Sequence, residues 1–111
     1  MLDGTVWAAC MTTNRVVGLD PRTLAVSRRI DVVHDPDGLA AGAGSTLVVS
    51  QQDGPGIAVV DTTTGEVRQV STGTSGRLGD KANNDVLERD GTAFLSDYTG
   101  NRVEIVRLDA S

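Results

Sequence analysis

His34 is the only histidine of the chain and stands beside Asp35 in the stretch HDPDG, so proton-transfer chemistry by an imidazole would have to start there. No second histidine, cysteine or serine arrangement completes a nucleophile, base and acid set around it, and the sequence reads His34 as a solvated loop residue. Asp37, between Pro36 and Gly38, poses a sharper choice, because an Asp before Gly caps a turn as readily as it reaches a ligand. Cys10 is alone, which excludes an internal disulfide and a thiolate metal cluster. It lies in the apolar run VWAAC, where a small buried side chain is expected. GRLGDK, residues 76 to 81, has the glycines of a phosphate loop but lacks the Gly-Lys-Ser/Thr ending, and no helical pattern follows it. Asp53 and Asp97 recur at matching places after apolar runs, as turn formers do, and Asn83 and Asn84 close a polar stretch where positive φ suits Asn.

The elements that must position these residues are short strands. Thirteen glycines and frequent Asp, Thr and Ser supply turns at close intervals, and no apolar spacing of three and four persists over a helical length. Runs rich in Val, Ile, Leu and Thr predict ten strands near 5–10, 15–19, 25–32, 38–42, 46–50, 57–61, 66–71, 85–89, 92–96 and 102–108. An apolar fraction of 39% in 111 residues suits one packed core. The net charge of −5, without blocks of like charge, argues against nucleic acid and anionic membrane surfaces as partners. Neither an export signal nor a run of membrane-spanning length is present, so the chain as given reads as soluble and cytoplasmic.

Three segments repeat the same grammar: DGTVWAACMTTNRVVGLD at 3–20, AGSTLVVSQQDGPGIAVVD at 43–61 and DGTAFLSDYTGNRVEIVRLD at 90–109. With Thr5, Thr46 and Thr92 equivalent, the intervals are 41 and 46 residues, a period that suits a four-stranded propeller blade. Trp7, Val48 and Phe94 then hold equivalent places and are expected between blades as packing. DPRTL and DTTTGE join the third strand of a unit to the fourth, with Asp capping each turn and Gly65 supplying a positive φ. The fold expected is all-β: about two and a half four-stranded meander blades forming an incomplete ring. A partial blade occupies 1–33, a full one 34–73, a loop 74–83 and a second partial blade 84–111. Propellers close with roughly four to eight blades, so the apolar faces of this piece require cover, either from remaining propeller blades or by self-association.

With the blades laid out, DGTVWAACMTTNRVVGLDPRTL, DPDGLA and NNDVLERDGTAFLSD resemble the gluconolactonase and senescence-marker-protein (regucalcin) type of six-bladed propeller. GIAVVDTTTGEV also resembles YVTN-type surface-layer propellers. The first resemblance implies a divalent cation (Ca, Mg or Zn) at one end of the central channel, held by a Glu, two Asn and an Asp from different blades. It places that Asp at Asp37, which would also serve as the catalytic base, and an Asn at Asn84 or, one residue earlier, at Asn83. The Glu and second Asn fall on blades outside these residues. Two functions follow as expectations. One is a non-catalytic propeller segment that binds a protein or small-molecule ligand as a scaffold; the other is part of a divalent-metal-dependent lactone hydrolase.

Overall fold

The computed structural model describes residues 1–32, 35–51, 56–71, 83–97 and 101–108, with the backbone alone for Ser71, Asn83, Asn84 and Asp97. The described residues form ten antiparallel strands in three meander sheets, and their only helical element is a 3-10 turn at Met11–Thr13. Sheet 1 contains β1 (Val6–Cys10), β2 (Arg15–Leu19) and β3 (Val26–Asp31). Sheet 2 contains β4 (Pro36–Ala41), β5 (Thr46–Gln51), β6 (Gly56–Asp61) and β7 (Val67–Ser71). Sheet 3 contains β8 (Asn83–Arg89), β9 (Thr92–Asp97) and β10 (Arg102–Arg107). The observed strands lie within two residues of their expected limits, and the main differences are earlier starts for β4 and β8. Asn83 and Asn84, read from sequence as the end of a loop, are the first two residues of β8.

Side chains alternate across a strand, and sheet 2 uses both of its faces. Leu47, Val49, Ala58 and Val60 join Val16, Ile30 and Val32 of the sheet 1 side in one core. Val48 and Ile57 point the other way and join Val86, Ala93, Leu95, Val106 and Leu108 in a second. Sheet 2 therefore stands between sheets 1 and 3.

The pairing register gives each sheet a forward and a backward face. Trp7 pairs with Gly18, Val48 with Val59 and Phe94 with Ile105 in the three equivalent hairpins. Trp7 packs against the first core and Val48 is buried in the second, while Phe94 lies on the outer face of sheet 3 with 37% of its surface exposed. The equivalence expected for Trp7, Val48 and Phe94 thus holds in register; only the first two are covered. Size is balanced within the covered pairs. A Cβ on Gly18 would lie 2.9 Å from the Thr5 methyl and 3.2 Å from the Trp7 ring, so Thr5 and the indole together leave room for little more than glycine, whereas Val48 leaves room for Val59.

Two arginines lock the sheets together. Arg28 of β3 donates to the Thr62 carbonyl at 2.7 Å, and Arg68 of β7 donates to the Leu108 carbonyl at 2.8 Å. Arg28 pairs with Gly18 and Arg68 with Val59, so the donors are equivalent in register. The acceptors are equivalent too, since the Thr62 amide donates to the Ser45 carbonyl as the Leu108 amide does to that of Gly91. One interface geometry has been built twice.

The turns after β2 and β6 are also copies. Asp20 Oδ1 accepts from the amides of Arg22 and Thr23, and Asp61 Oδ1 from those of Thr63 and Thr64. Both turns close through a residue of positive φ, Leu24 at 62° and Gly65 at 83°. Leucine in that conformation is strained by about 1–2 kcal/mol, against about 0.5–1 kcal/mol for the extra chain freedom of glycine. Leu24 is largely exposed and gives up little packing. Leu24→Gly is therefore expected to stabilise the chain by about 0.5–1 kcal/mol, read as a higher denaturant midpoint at unchanged slope.

Candidate functional site

Asp37 sits where β4 enters sheet 2, and its setting is fixed from both sides. Asp35, at φ 52°, turns the chain into the strand, and its amide donates to Asn14 Oδ1 at 3.0 Å. The Asn14 carbonyl accepts from the Val32 amide at 2.8 Å, so the 3-10 turn of sheet 1 holds both ends of the connection. Pro36 is buried opposite Gln51, where its lack of an N–H is no cost. Gln51 is itself fully buried. Its Nε2 donates to the Gly56 carbonyl at 3.0 Å and to Gln69 Oε1 at 2.9 Å, while Gln69 Nε2 donates back to Gln51 Oε1 at 3.2 Å. This amide pair satisfies a buried polar side chain beneath the candidate site.

Between Pro36 and Leu39 the register slips, because Pro36 pairs with Gln51 and Leu39 with Val49. Asp37 and Gly38 therefore oppose the single residue Ser50, a two-against-one bulge of the kind that re-aims a side chain. The bulge leaves an amide without its ladder partner, and serine replaces it: the Gly38 amide donates to Ser50 Oγ at 2.7 Å. The same construction recurs in sheet 3. Asn83 pairs with Asp97 and Val86 with Leu95, so Asn84 and Asp85 oppose Ser96, and the Asp85 amide donates to Ser96 Oγ at 3.0 Å. A third register shift, after Gly18, carries a third serine, with Ser27 Oγ donating to the Gly18 carbonyl at 3.2 Å.

The bulges decide the register that spacing left open. Pro36 corresponds to Asn83, Asp37 to Asn84 and Gly38 to Asp85, so Asn84 rather than Asn83 occupies the place of Asp37 in its sheet. β4 and β8 are packed neighbours. The structure thus brings Asp37 and Asn84 to matching points of adjacent strands; the side chains of Asn83 and Asn84 lie outside the described residues. So do His34, Asp53 and the GRLGDK segment. Asp37 is half-buried. Among the described residues no three of His, Cys, Asp and Glu gather as a metal-binding group. A hard cation takes about six oxygen ligands. One carboxylate and one amide position on this chain do not by themselves meet that demand.

Sequence reasoning missed the serines that pin the bulges, although a signal was present. Ser50 and Ser96 each stand four residues after the repeated Thr46 and Thr92, whereas Ala9 follows Thr5, in the sheet with no inner bulged strand. A second feature is a cavity of about 160 Å³ between β1 and β4, lined by Leu2, Trp7, Leu39, Ala40 and Leu47. The Trp7 Nε1 is buried without a hydrogen-bond partner among the described residues.

Neither a family model nor a curated protein matches the chain. Solved structures do. Hydrazine synthase of Kuenenia stuttgartiensis superposes at a TM-score of 0.70 with 19% identity, over 94% of this chain and 32% of that one. The computationally designed Ika4 protein superposes at 0.72 with 16% identity, over 97% of this chain and 62% of that one. The chain spans less than two thirds of the length of either structure. At such identities the likeness concerns the fold alone. No helix among the described residues is long and apolar enough to cross a membrane.

Ser50 is fully buried, so Ser50→Ala strands the Gly38 amide and is expected to cost about 2 kcal/mol. Ser96 is exposed, water can replace its hydroxyl, and Ser96→Ala should cost less than about 1 kcal/mol. Denaturant unfolding of the two variants checks the order, and hydrogen exchange at the Gly38 amide checks the cause.

Proposed function

We propose that the three sheets are propeller-type blades and that the chain works as a non-catalytic scaffold, binding a protein or small-molecule ligand at the rim where β4 and β8 begin. The observation that carries this reading is the serine-pinned bulge. It occurs in both sheets that have an inner strand, around Asp37 in one and Asn84 in the other, and it accounts for the backbone at both positions without calling on a ligand. A feature repeated in successive units with a different residue type at its tip is what a scaffold requires. The tips vary while the hydroxyl support stays the same.

A second reading is favoured by one observation. Asp37 and Asn84 hold corresponding positions on neighbouring strands, as a carboxylate and an amide drawn from successive blades would in a divalent-metal-dependent lactone hydrolase of the gluconolactonase type. That reading needs further oxygen ligands from outside these residues. In it Asp37 is both ligand and base, with Ca²⁺, Mg²⁺ or Zn²⁺ as the cation.

Calorimetric titration of the assembled protein with each cation, beside its Asp37→Ala variant, separates the two. Asp37 lies at the bulge of β4, half-buried and outside both cores, where a substitution costs about 1 kcal/mol, so the variant folds. The scaffold reading expects the same heats from both proteins and no lactone opening by either. Cation binding and lactone hydrolysis that both disappear in Asp37→Ala would establish the hydrolase instead.

A further inference from the structure

Among the described residues, sheet 3 is the last of the stack, and its outer face is apolar. Leu87 pairs with Phe94 and Phe94 with Ile105, a row across all three strands, and Val103 extends it. Leu87, Val103 and Ile105 are 64%, 65% and 66% exposed, and a groove of about 240 Å³ runs beside them between Phe94, Ser96 and Val103. The row is the register equivalent of Ala40, Val48 and Val59 in sheet 2, which pack against sheet 3.

At the other end, the backward face of sheet 1 presents Val6, Ala8, Val17 and Leu19, all half-buried. By register these four stand where Leu47, Val49, Ala58 and Val60 stand in sheet 2, all buried against sheet 1. They also stand where Ala93, Leu95, Glu104 and Val106 stand in sheet 3. Three of those four are buried against sheet 2, and Glu104 pairs with Arg102 at 2.7 Å. The two ends of the stack are thus the two halves of an interface that the chain already forms twice.

We infer that the forward face of sheet 3, Leu87, Phe94, Val103 and Ile105, docks on the backward face of sheet 1, Val6, Ala8, Val17 and Leu19, of a second copy of this chain. The inference rests on reading the sheets as propeller-type blades. A head-to-tail contact between unlike faces leaves one face of each copy open, and it is satisfied when a ring closes. The three described sheets, taken twice, make six, within the usual range of closed propellers. The occupant is a second copy because both halves of the repeated interface are present on one chain, in the register that the internal contacts use.

The test uses two substitutions on exposed or half-buried strand positions, Ile105→Asp on the forward face and Val17→Asp on the backward face, with light scattering as the readout. The unsubstituted chain should have twice the 11.6 kDa chain mass. Each variant alone should be monomeric, because each lacks one half of the contact. Mixed in equal amounts, they should return to twice the chain mass through the one intact pair of faces, a recovery that also shows both variants to be folded. A like-face dimer cannot give this result, since the mixture would contain only one intact forward face. A monomeric unsubstituted chain at tens of micromolar, a variant that associates alone, or a mixture that stays monomeric overturns the inference. Those outcomes leave the scaffold reading to the cation titration, which responds to Asp37 and not to these faces.

Discussion

Along β5 and β6 both faces of sheet 2 are buried, because alternate residues point into two separate cores, Leu47, Val49, Ala58 and Val60 into one and Val48 and Ile57 into the other. A strand buried on both sides cannot alternate polar and apolar residues, and TLVVSQ and GIAVVD carry almost continuous apolar runs for that reason. Everything else in the molecule answers to this constraint. Sheets 1 and 3 need only one apolar face each for the interior, and their cores would be exposed without sheet 2 between them. Full burial of a side chain such as Ile57 or Val49 stabilises the fold by about 1.5–3 kcal/mol, and the fourteen buried residues of the two described cores include twelve Val, Leu or Ile.

Apolar stacking alone does not fix how one sheet sits on the next, since the hydrophobic effect has no direction. The direction comes from a few polar contacts repeated in register. Arg28 and Arg68 each reach from the outer strand of one sheet to a carbonyl at the end of a hairpin in the following sheet. A guanidinium donating to a carbonyl is worth about 1.5–3 kcal/mol when sheltered and less when solvated, as it partly is at Arg68. Its larger effect is positional: two sheets that slid by one residue would lose the contact. The serines act within the sheets in the same way. They restore hydrogen bonds where a bulge breaks the ladder, so the inner strands can begin with Asp37 and Asn84 at a defined position instead of fraying.

The strands and the turns at Asp20 and Asp61 were legible in the sequence because their causes are local. Period-two runs, an Asp with two following amides and a glycine at positive φ all lie within a few residues. The interval between Thr5, Thr46 and Thr92 also carried the equivalence of Trp7, Val48 and Phe94 into the observed register. The inter-sheet arginines were not legible, since Arg28 and Thr62 are 34 residues apart and Arg68 and Leu108 are 40 apart. Nor could spacing decide between Asn83 and Asn84. Both strands carry the same bulge, but the β4–β5 turn has three residues, 43–45, where the β8–β9 turn has two, 90–91, and a count along the chain absorbs the extra residue without revealing where it lies. The candidate site was legible as residue types at Asp37 and Asn84, while its support by Ser50, Ser96 and the Gln51–Gln69 pair depended on cross-strand partners.

If sheet 2 is the common support of both cores, the three sheets unfold as one unit. Trp7 is the only tryptophan and lies at the sheet 1 to sheet 2 interface, so its fluorescence reports the first core, whereas far-ultraviolet circular dichroism reports the strands of all three sheets. The most direct measurement is urea unfolding followed by both signals on the same samples at a fixed chain concentration. Coincident transitions with one midpoint and one slope are expected. A fluorescence transition separated from the dichroism transition, with sheet structure persisting after Trp7 is released, would contradict unfolding as one unit.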